Sequence, residues 1–244
     1  MTTAAATGTA AAAAPVPRSL RTRLLRWTLL AALIGTLTPA LQCVLLNWID
    51  PPLTLTMLGQ TWAHWRATDQ WQLPNYTWVN LQDVPRSVPV AALSTEDRSF
   101  FHHKGFDMVA IRRAWQRNQK HPGGRIAGGS TISQQVARNV FLSQHRSWVR
   151  KGLEAWYTVW LELLVPKRRI LEVYINVAEM GPMVFGVQAA AQHWFRKPAA
   201  KLRPREAAIV MALLPSPRHW TPASGHVQRR ATWIERLPAA MPRP

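Results

Sequence analysis

Twelve acidic residues are the whole supply of carboxylates in this chain: Asp50, Asp69, Asp83, Glu96, Asp97, Asp107, Glu154, Glu162, Glu172, Glu179, Glu206 and Glu235. Two of them stand in segments dense with polar and cationic groups. The first segment runs from Ser94 to Asp107, STEDRSFFHHKGFD. Ser94 followed three residues later by Asp97 has the spacing of a helix start. That predicts Glu96 in a first turn, where the helix dipole favours the ionised carboxylate that a general base needs. Glu96 and Asp97 would serve equally well as plain helix caps. The second segment is Arg150-Lys151-Gly152-Leu153-Glu154. Glu154 lies four and three residues after its two cations, either as a salt-bridged exposed face or as an acid held among phosphate-binding groups.

Between them lies Gly128-Gly129-Ser130-Thr131-Ile132-Ser133-Gln134-Gln135. Thr131 and Gln134 have capping-box spacing, so a helix starts here. Free amides at such a start make an anion site that would suit a diphosphate, with Arg138 one turn on and Arg125 upstream. A glycine hinge before a capped helix explains the same residues. A fourth segment, Lys167 to Asn176, contains Ile170, Leu171 and Tyr174 as core positions and Glu172 as a structural acid. The chain has no His-Glu-x-x-His zinc motif and no Gly-x-x-x-x-Gly-Lys phosphate loop. It has no Ser-x-x-Lys or Lys-Thr-Gly of a penicillin-sensitive acyltransferase. A single cysteine, Cys43, forms no internal disulfide.

The elements that must position these groups are mainly helical. Residues 1–26 read as a disordered, cytoplasmic tail with a basic flank, Arg18, Arg21, Arg23 and Arg26. The 22 uncharged residues from Trp27 to Trp48 match a bilayer-spanning helix, with tryptophan at each end. Arginine on the N-terminal side places that side in the cytoplasm, so everything from residue 50 to 244 is exported. A cleaved signal peptide is disfavoured by the length of the stretch. All twelve acidic residues and all but four of the thirty basic ones lie at or beyond Asp50. Of the net charge of +18, +14 therefore belongs to the working domain, 26 basic against 12 acidic residues, and implies anionic partners. Within that domain, helices are expected over 148–164, 167–176, 187–195 and 204–214, and strands over 78–81 and 88–93. Residues 108–127, rich in Arg and Lys, read as a mobile flap. In the helix at 148–164, Val149, Leu153, Trp156, Trp160 and Leu163 share one face, and Arg150, Glu154 and Thr158 another.

Taken in order, the motifs resemble one family, the peptidoglycan glycosyltransferases, which include the glycosyltransferase domain of class A penicillin-binding proteins. Glu96, Asp97, Phe100, His103 and Gly105 meet the pattern Glu-Asp-x-x-Phe-x-x-His-x-Gly. Residues 128–135 meet Gly-Gly-Ser-Thr-Ile-x-Gln-Gln in full, and Arg150, Lys151 and Glu154 meet Arg-Lys-x-x-Glu. Lys167, Ile170, Leu171, Glu172, Tyr174 and Asn176 meet Lys-x-x-Ile-Leu-Glu-x-Tyr-x-Asn. The resemblance covers about residues 86–217, and the short chain looks like the monofunctional branch. One departure is Met183, where the family often has glycine; it puts the conformation of that loop in question.

What the resemblance implies is a lysozyme-like, mainly helical head with a smaller membrane-associated lobe, besides the N-terminal transmembrane helix. It implies polymerisation of lipid II onto a growing glycan strand, with β-1,4 linkage, inversion and release of polyprenyl diphosphate. Glu96 would be the base. Glu154 would be the second essential acid, near the diphosphate and through a divalent cation, magnesium or manganese, if one is used; no organic cofactor is implied. Asp97, Phe100, His103, Ser130, Thr131, Gln134, Gln135, Arg138, Arg150 and Lys151 would bind substrate. The flap at 108–127 would cover the acceptor. Expected partners are lipid II, the strand, the membrane and other cell-wall synthesis proteins, with no nucleic acid. Two rivals remain: a lytic glycan-cleaving enzyme, which needs no cationic diphosphate pocket, and a non-catalytic basic envelope protein, which needs neither acid.

Overall fold

A computed structural model describes residues 18–123, 128–145 and 147–237. The tail 1–17 and Arg125 lie outside the described residues, as does part of the expected flap. The chain forms two compact units, Met1–Pro39 and Ala40–Pro244.

Helix α1 spans Arg18–Leu45 and is long and apolar enough to cross a membrane. The hydroxyls of Thr28 and Thr36 donate to carbonyls a turn earlier, Leu24 at 3.0 Å and Ala32 at 2.8 Å, so these polar groups are satisfied within the helix. The helix starts well before the stretch read from the sequence. Its end also differs: from Ala40 onward the chain belongs to the second unit, where Cys43 and Leu46 are core residues. Asn47 Nδ2 donates to Leu164 O at 3.0 Å and Arg169 Nε to Leu46 O at 2.8 Å, tying that end into the domain.

The second unit continues with α2 (Leu55–Thr68), α3 (Ser87–Glu96), α4 (Met108–Lys120), α5 (Ile132–Phe141), α6 (Trp148–Leu164) and α7 (Lys167–Val177). It ends with α8 (Gly186–Phe195), α9 (Pro204–Leu213) and α10 (Gly225–Glu235). A small sheet of β1 (Asn75–Tyr76), β2 (Glu179–Gly181) and β3 (Val184–Phe185) has β3 in the middle, parallel to β1 and antiparallel to β2. The expected strand at 88–93 is instead the body of α3. Val88, Ala91, Ala92 and Leu93 are buried all round that helix, so the apolar run has no period to separate helix from strand. Residues 78–81 form no strand either; the short strand lies at Asn75–Tyr76.

Helix α7 is the centre of the core. Ile170, Leu171, Val173, Tyr174, Ile175 and Val177 are buried, as the sequence reading expected for three of them. Its polar residues are structural. Asn176 accepts from Val79 N at 2.9 Å and donates to Val79 O at 2.8 Å, while Glu172 accepts from Leu81 N at 2.7 Å. Gly186 has φ +78, and a Cβ there would meet Asn176 O at 2.4 Å, so only glycine lets α8 pack on α7.

Helix α6 matches its expected span, and the face carrying Glu154 and Thr158 is the one that meets the protein. The buried residues are Glu154, Thr158 and Leu161. The apolar row is turned outward, with Trp148 91% and Leu163 68% exposed and Val149, Leu153 and Trp156 beside them. Leu55, Leu58 and Trp62 of α2 are exposed as well. Periodicity identifies two faces of a helix; it does not say which of them meets the protein.

Met183 answers the question its sequence raised. It sits at φ +57, in the left-handed region that glycine adopts without cost, and its carbonyl accepts from Asn75 N at 2.7 Å. Met183→Gly should leave activity unchanged and stabilise the fold. Relief of about 1–2 kcal/mol of strain outweighs roughly 0.5–1 kcal/mol of added chain entropy. A lower unfolding midpoint for the variant would refute this.

Candidate active site

The site is assembled around Asp97, which is 6% exposed. Its carboxylate accepts from His103 Nε2 at 2.9 Å and from the first amide of α5, Ile132 N, at 3.0 Å. Gly105 N donates to His103 Nδ1 at 3.1 Å, which leaves the imidazole proton on Nε2, facing Asp97. Thr131 Oγ1 donates to Gly105 O at 2.6 Å. Thr131 and Gln134 form the expected capping box, with Thr131 N donating to Gln134 Oε1 at 3.0 Å. Gly105 has φ +86, and a Cβ would meet Thr158 Cγ2 at 2.7 Å. Asp97, His103, Gly105, Thr131 and Gln134 thus form a clasp that joins the loop after α3 to the start of α5, with Gly105 packed against Thr158 of α6. The first amide of the α5 N-terminus already holds an anion, Asp97. Phe100 is fully buried, with Lys167 Nζ 4.4 Å from its ring centre, and contributes to the core rather than to a ligand surface.

Glu96 is the last residue of α3, not the first turn of a helix. The Ser94–Asp97 spacing is that of a cap, but Asp97 caps α5, far along the chain. The dipole at a helix C-terminus disfavours a carboxylate, the reverse of the expectation. Burial pushes the Glu96 carboxyl above its ordinary value, opposed by the Gln135 hydrogen bond at 3.2 Å and by the charges of Arg230 and Arg138. Its side chain keeps 18% exposure and opens into a cleft of about 750 Å³. Asp97, His103, Ser130 and Thr131 line the same cleft. Gln135 and Arg138 line a smaller neighbouring one of about 110 Å³. Glu96 therefore has a partly open face, a raised proton affinity and a hydrogen bond that fixes its direction, which is what a general base near neutral pH requires.

Glu154 is the contrasting acid, with its side chain 1% exposed. Arg150 Nη1 donates to Oε2 at 2.8 Å, and Lys151 Nζ to Oε1. Lys151 Nζ also reaches Ser130 Oγ at 3.3 Å, joining this triad to the wall of the large cleft. Glu154 and Arg150 face inward while Lys151 stays partly exposed, so the group is more than an exposed salt-bridged face. Both oxygens of Glu154 face cationic side chains, and among the described residues no group of three His, Cys, Asp or Glu side chains converges to hold a metal. That donor set does not fit a divalent cation at Glu154.

The sequence reading stopped at α9 and missed α10. Helix α10 packs on α9 and α3, and it brings Arg230 Nη2 to 3.6 Å from Glu96 Oε1 and Trp233 to the cleft wall. No local signal marks Arg230 in the run Gln228-Arg229-Arg230-Ala231; only the chain's return to α3 brings it to Glu96. The residues 108–120 read as a flap form a regular helix, α4, whose Asp107 cap accepts from Ala110 N at 2.8 Å. Its first residues, Met108 to Ala110, also line the cleft.

A pH prediction follows. With Glu96 as the base, activity should fall on the acid side around a midpoint above the usual glutamate range. Besides Gln135, Arg138 and Arg230, Glu96 is faced by Asp97 and by the buried Tyr174 of α7. Arg230→Gln removes a cation that favours the ionised form, so the acid limb should move to higher pH. An unmoved or lowered limb would contradict the contact.

Residues 65–237 match the family model described as Transglycosylase. The chain is 48% identical over 232 residues to a biosynthetic peptidoglycan transglycosylase of Xanthomonas oryzae pv. oryzae, covering 92% of this chain and 94% of the relative. A protein with the same description from Xylella fastidiosa strain M23 is 45% identical over 214 residues, 86% and 87% of the two chains. Glu96, the Asp97 clasp, the Glu154 triad and Arg230 all fall inside the matched span. A match over most of the chain, carried by residues that build one site, shows that the chain belongs to the transglycosylase family.

Proposed function

We propose that this transglycosylase polymerises lipid II into the glycan strands of peptidoglycan at the outer face of a cytoplasmic membrane. The observation that carries the reading is the pairing of two unlike acids. Glu96 opens to a cleft with a raised proton affinity, whereas Glu154 is sealed by Arg150 and Lys151 beside Ser130.

In the reaction, the 4-hydroxyl oxygen of the acceptor sugar attacks the anomeric carbon of the strand, and its proton passes to Glu96. The bond from that carbon to the diphosphate oxygen breaks, and its electrons leave with the polyprenyl diphosphate. One displacement inverts the centre. The leaving group already has a low proton affinity, so its charge needs neutralising more than it needs an acid. Arg150, Lys151 and Ser130 supply cations and a hydroxyl to that end, positioned by Glu154. Arg138 adds charge from the α5 side. Asp97, His103, Thr131 and Gln134 hold the clasp.

Helix α1 is the anchor. Arginine at its N-terminal flank puts residue 18 on the cytoplasmic side. The outward apolar row on α6 and the exposed Leu55, Leu58 and Trp62 suit the lipid interface where the substrate resides. The remaining positive charge suits anionic head groups. Added protease should digest the large unit in intact spheroplasts; protection until lysis would reverse the orientation.

The decisive assay is purified full-length protein with labelled lipid II. Polymer formation with no release of soluble fragments from finished sacculi supports the reading. Fragment release from sacculi at a rate comparable to lipid II consumption would instead make the enzyme lytic.

A further inference from the structure

We infer that Trp233 is the stacking platform for the pyranose ring that offers its hydroxyl to Glu96, an inference that rests on the transferase reading above. Arg230 and Trp233 lie three residues apart on α10, on one side of the helix. The Arg230 guanidinium is 3.6 Å from Glu96 and its carbon 6.0 Å from the centre of the Trp233 ring. One side chain therefore stands between the base and the tryptophan, within cation–π range of the ring. The residues of α10 that build the core are others: Val227, Ala231 and Ile234 are buried. Trp233 remains 48% exposed and lines the cleft that holds Glu96.

The wall around it is mixed, with Phe106, Met108 and Val109 beside the polar Thr95, Arg98, His102 and Ser130. A flat indole face in a cleft that also carries hydrogen-bonding groups is the complement of a pyranose, which presents an apolar C–H face between rims of hydroxyl groups. Indole offers a large rigid surface for that face and loses little conformational freedom on binding. The Arg230 cation at the ring holds the indole in place. Stacking fixes the plane of the sugar, and the link through Arg230 fixes that plane relative to Glu96. Because Glu96 receives the acceptor's proton, the stacked ring is the acceptor's N-acetylhexosamine. The cations for the diphosphate, Arg150 and Lys151, belong to α6 and reach the cleft from another side.

The test uses Trp233→Phe and Trp233→Leu in the full-length protein with lipid II in detergent. Trp233→Leu should raise the KM for lipid II about tenfold with kcat within about twofold of the parent, and Trp233→Phe should stay within about twofold on both. A parental KM for Trp233→Leu, or equal impairment of both variants, would overturn the inference while the parent still polymerises. An inactive parent would strike the transferase reading instead. Fluorescence with a soluble N-acetylglucosamine oligosaccharide is independent of turnover. Quenching in the parent that Trp233→Leu loses supports the platform, and equal or absent quenching in both overturns it. Loss of binding to anionic vesicles with an unchanged KM would mark Trp233 as a lipid contact and also overturn it.

Discussion

Glu96→Gln should abolish polymerisation, with a loss on the order of 10²–10⁴-fold, while the protein folds as well as its parent. The substitution keeps the length and volume of the side chain. Its carbonyl oxygen can still accept from Gln135 Nε2, so the direction of the group is preserved. What disappears is the ability to accept a proton from an attacking hydroxyl. The stability side is specific as well. Burial raises the proton affinity of Glu96, meaning that folding disfavours its ionised form. Removing that charge should leave the unfolding midpoint unchanged or higher near neutral pH. An inactive but unfolded variant would place Glu96 in the scaffold. A folded variant within a few-fold of parental activity would remove it from the chemistry. The expected result, folded and inactive, separates the base from its neighbour Asp97, whose loss should undo the clasp and fail on both measures.

Residue types narrow the carboxylates to a short set, and the ordered motifs of the family resemblance single out Glu96 and Glu154 within it. Their environments were not legible from either. The Ser94–Asp97 spacing correctly marks Asp97 as a capping residue, but the amide it caps is Ile132 N in α5. A local pattern read over four residues assigns the cap to the nearest helix, and this reverses the dipole acting on Glu96. Helix α6 shows the same limit in packing. Its length follows from its period and from Pro166, which ends it. Its orientation depends on what lies outside, and an apolar face can turn toward lipid while Arg150, Glu154 and Thr158 turn inward. The basic residues after Asp107 carry no apolar face to mark a packed helix; α4 forms all the same, with none of its residues buried and Asp107 as its cap. Arg230 and Trp233 required the return of α10 onto α3, a contact between distant parts of the chain that no spacing encodes.

Glu154→Gln should remove activity by more than about 10²-fold, although Glu154 need not touch substrate. Its carboxylate is buried and its two oxygens orient Arg150 and Lys151. An amide can accept from one of these cations, but it turns an N–H₂ toward the other. The unit then carries an uncompensated charge, and breaking a buried pair in this way costs about 3–5 kcal/mol when both partners are buried. The cost here should be smaller, because the Lys151 side chain is 42% exposed and can swing into solvent. That swing is the catalytic defect: Lys151 leaves Ser130, and the diphosphate loses an oriented cation. Added magnesium should not restore the rate, since the acid holds side chains rather than a metal. The double variant Glu154→Gln with Lys151→Ala should be little worse than Lys151→Ala alone, because both lesions act through one cation. Additive losses in that cycle would mean that Glu154 acts on the substrate independently of Lys151, and rescue by magnesium would mean that it binds a metal after all.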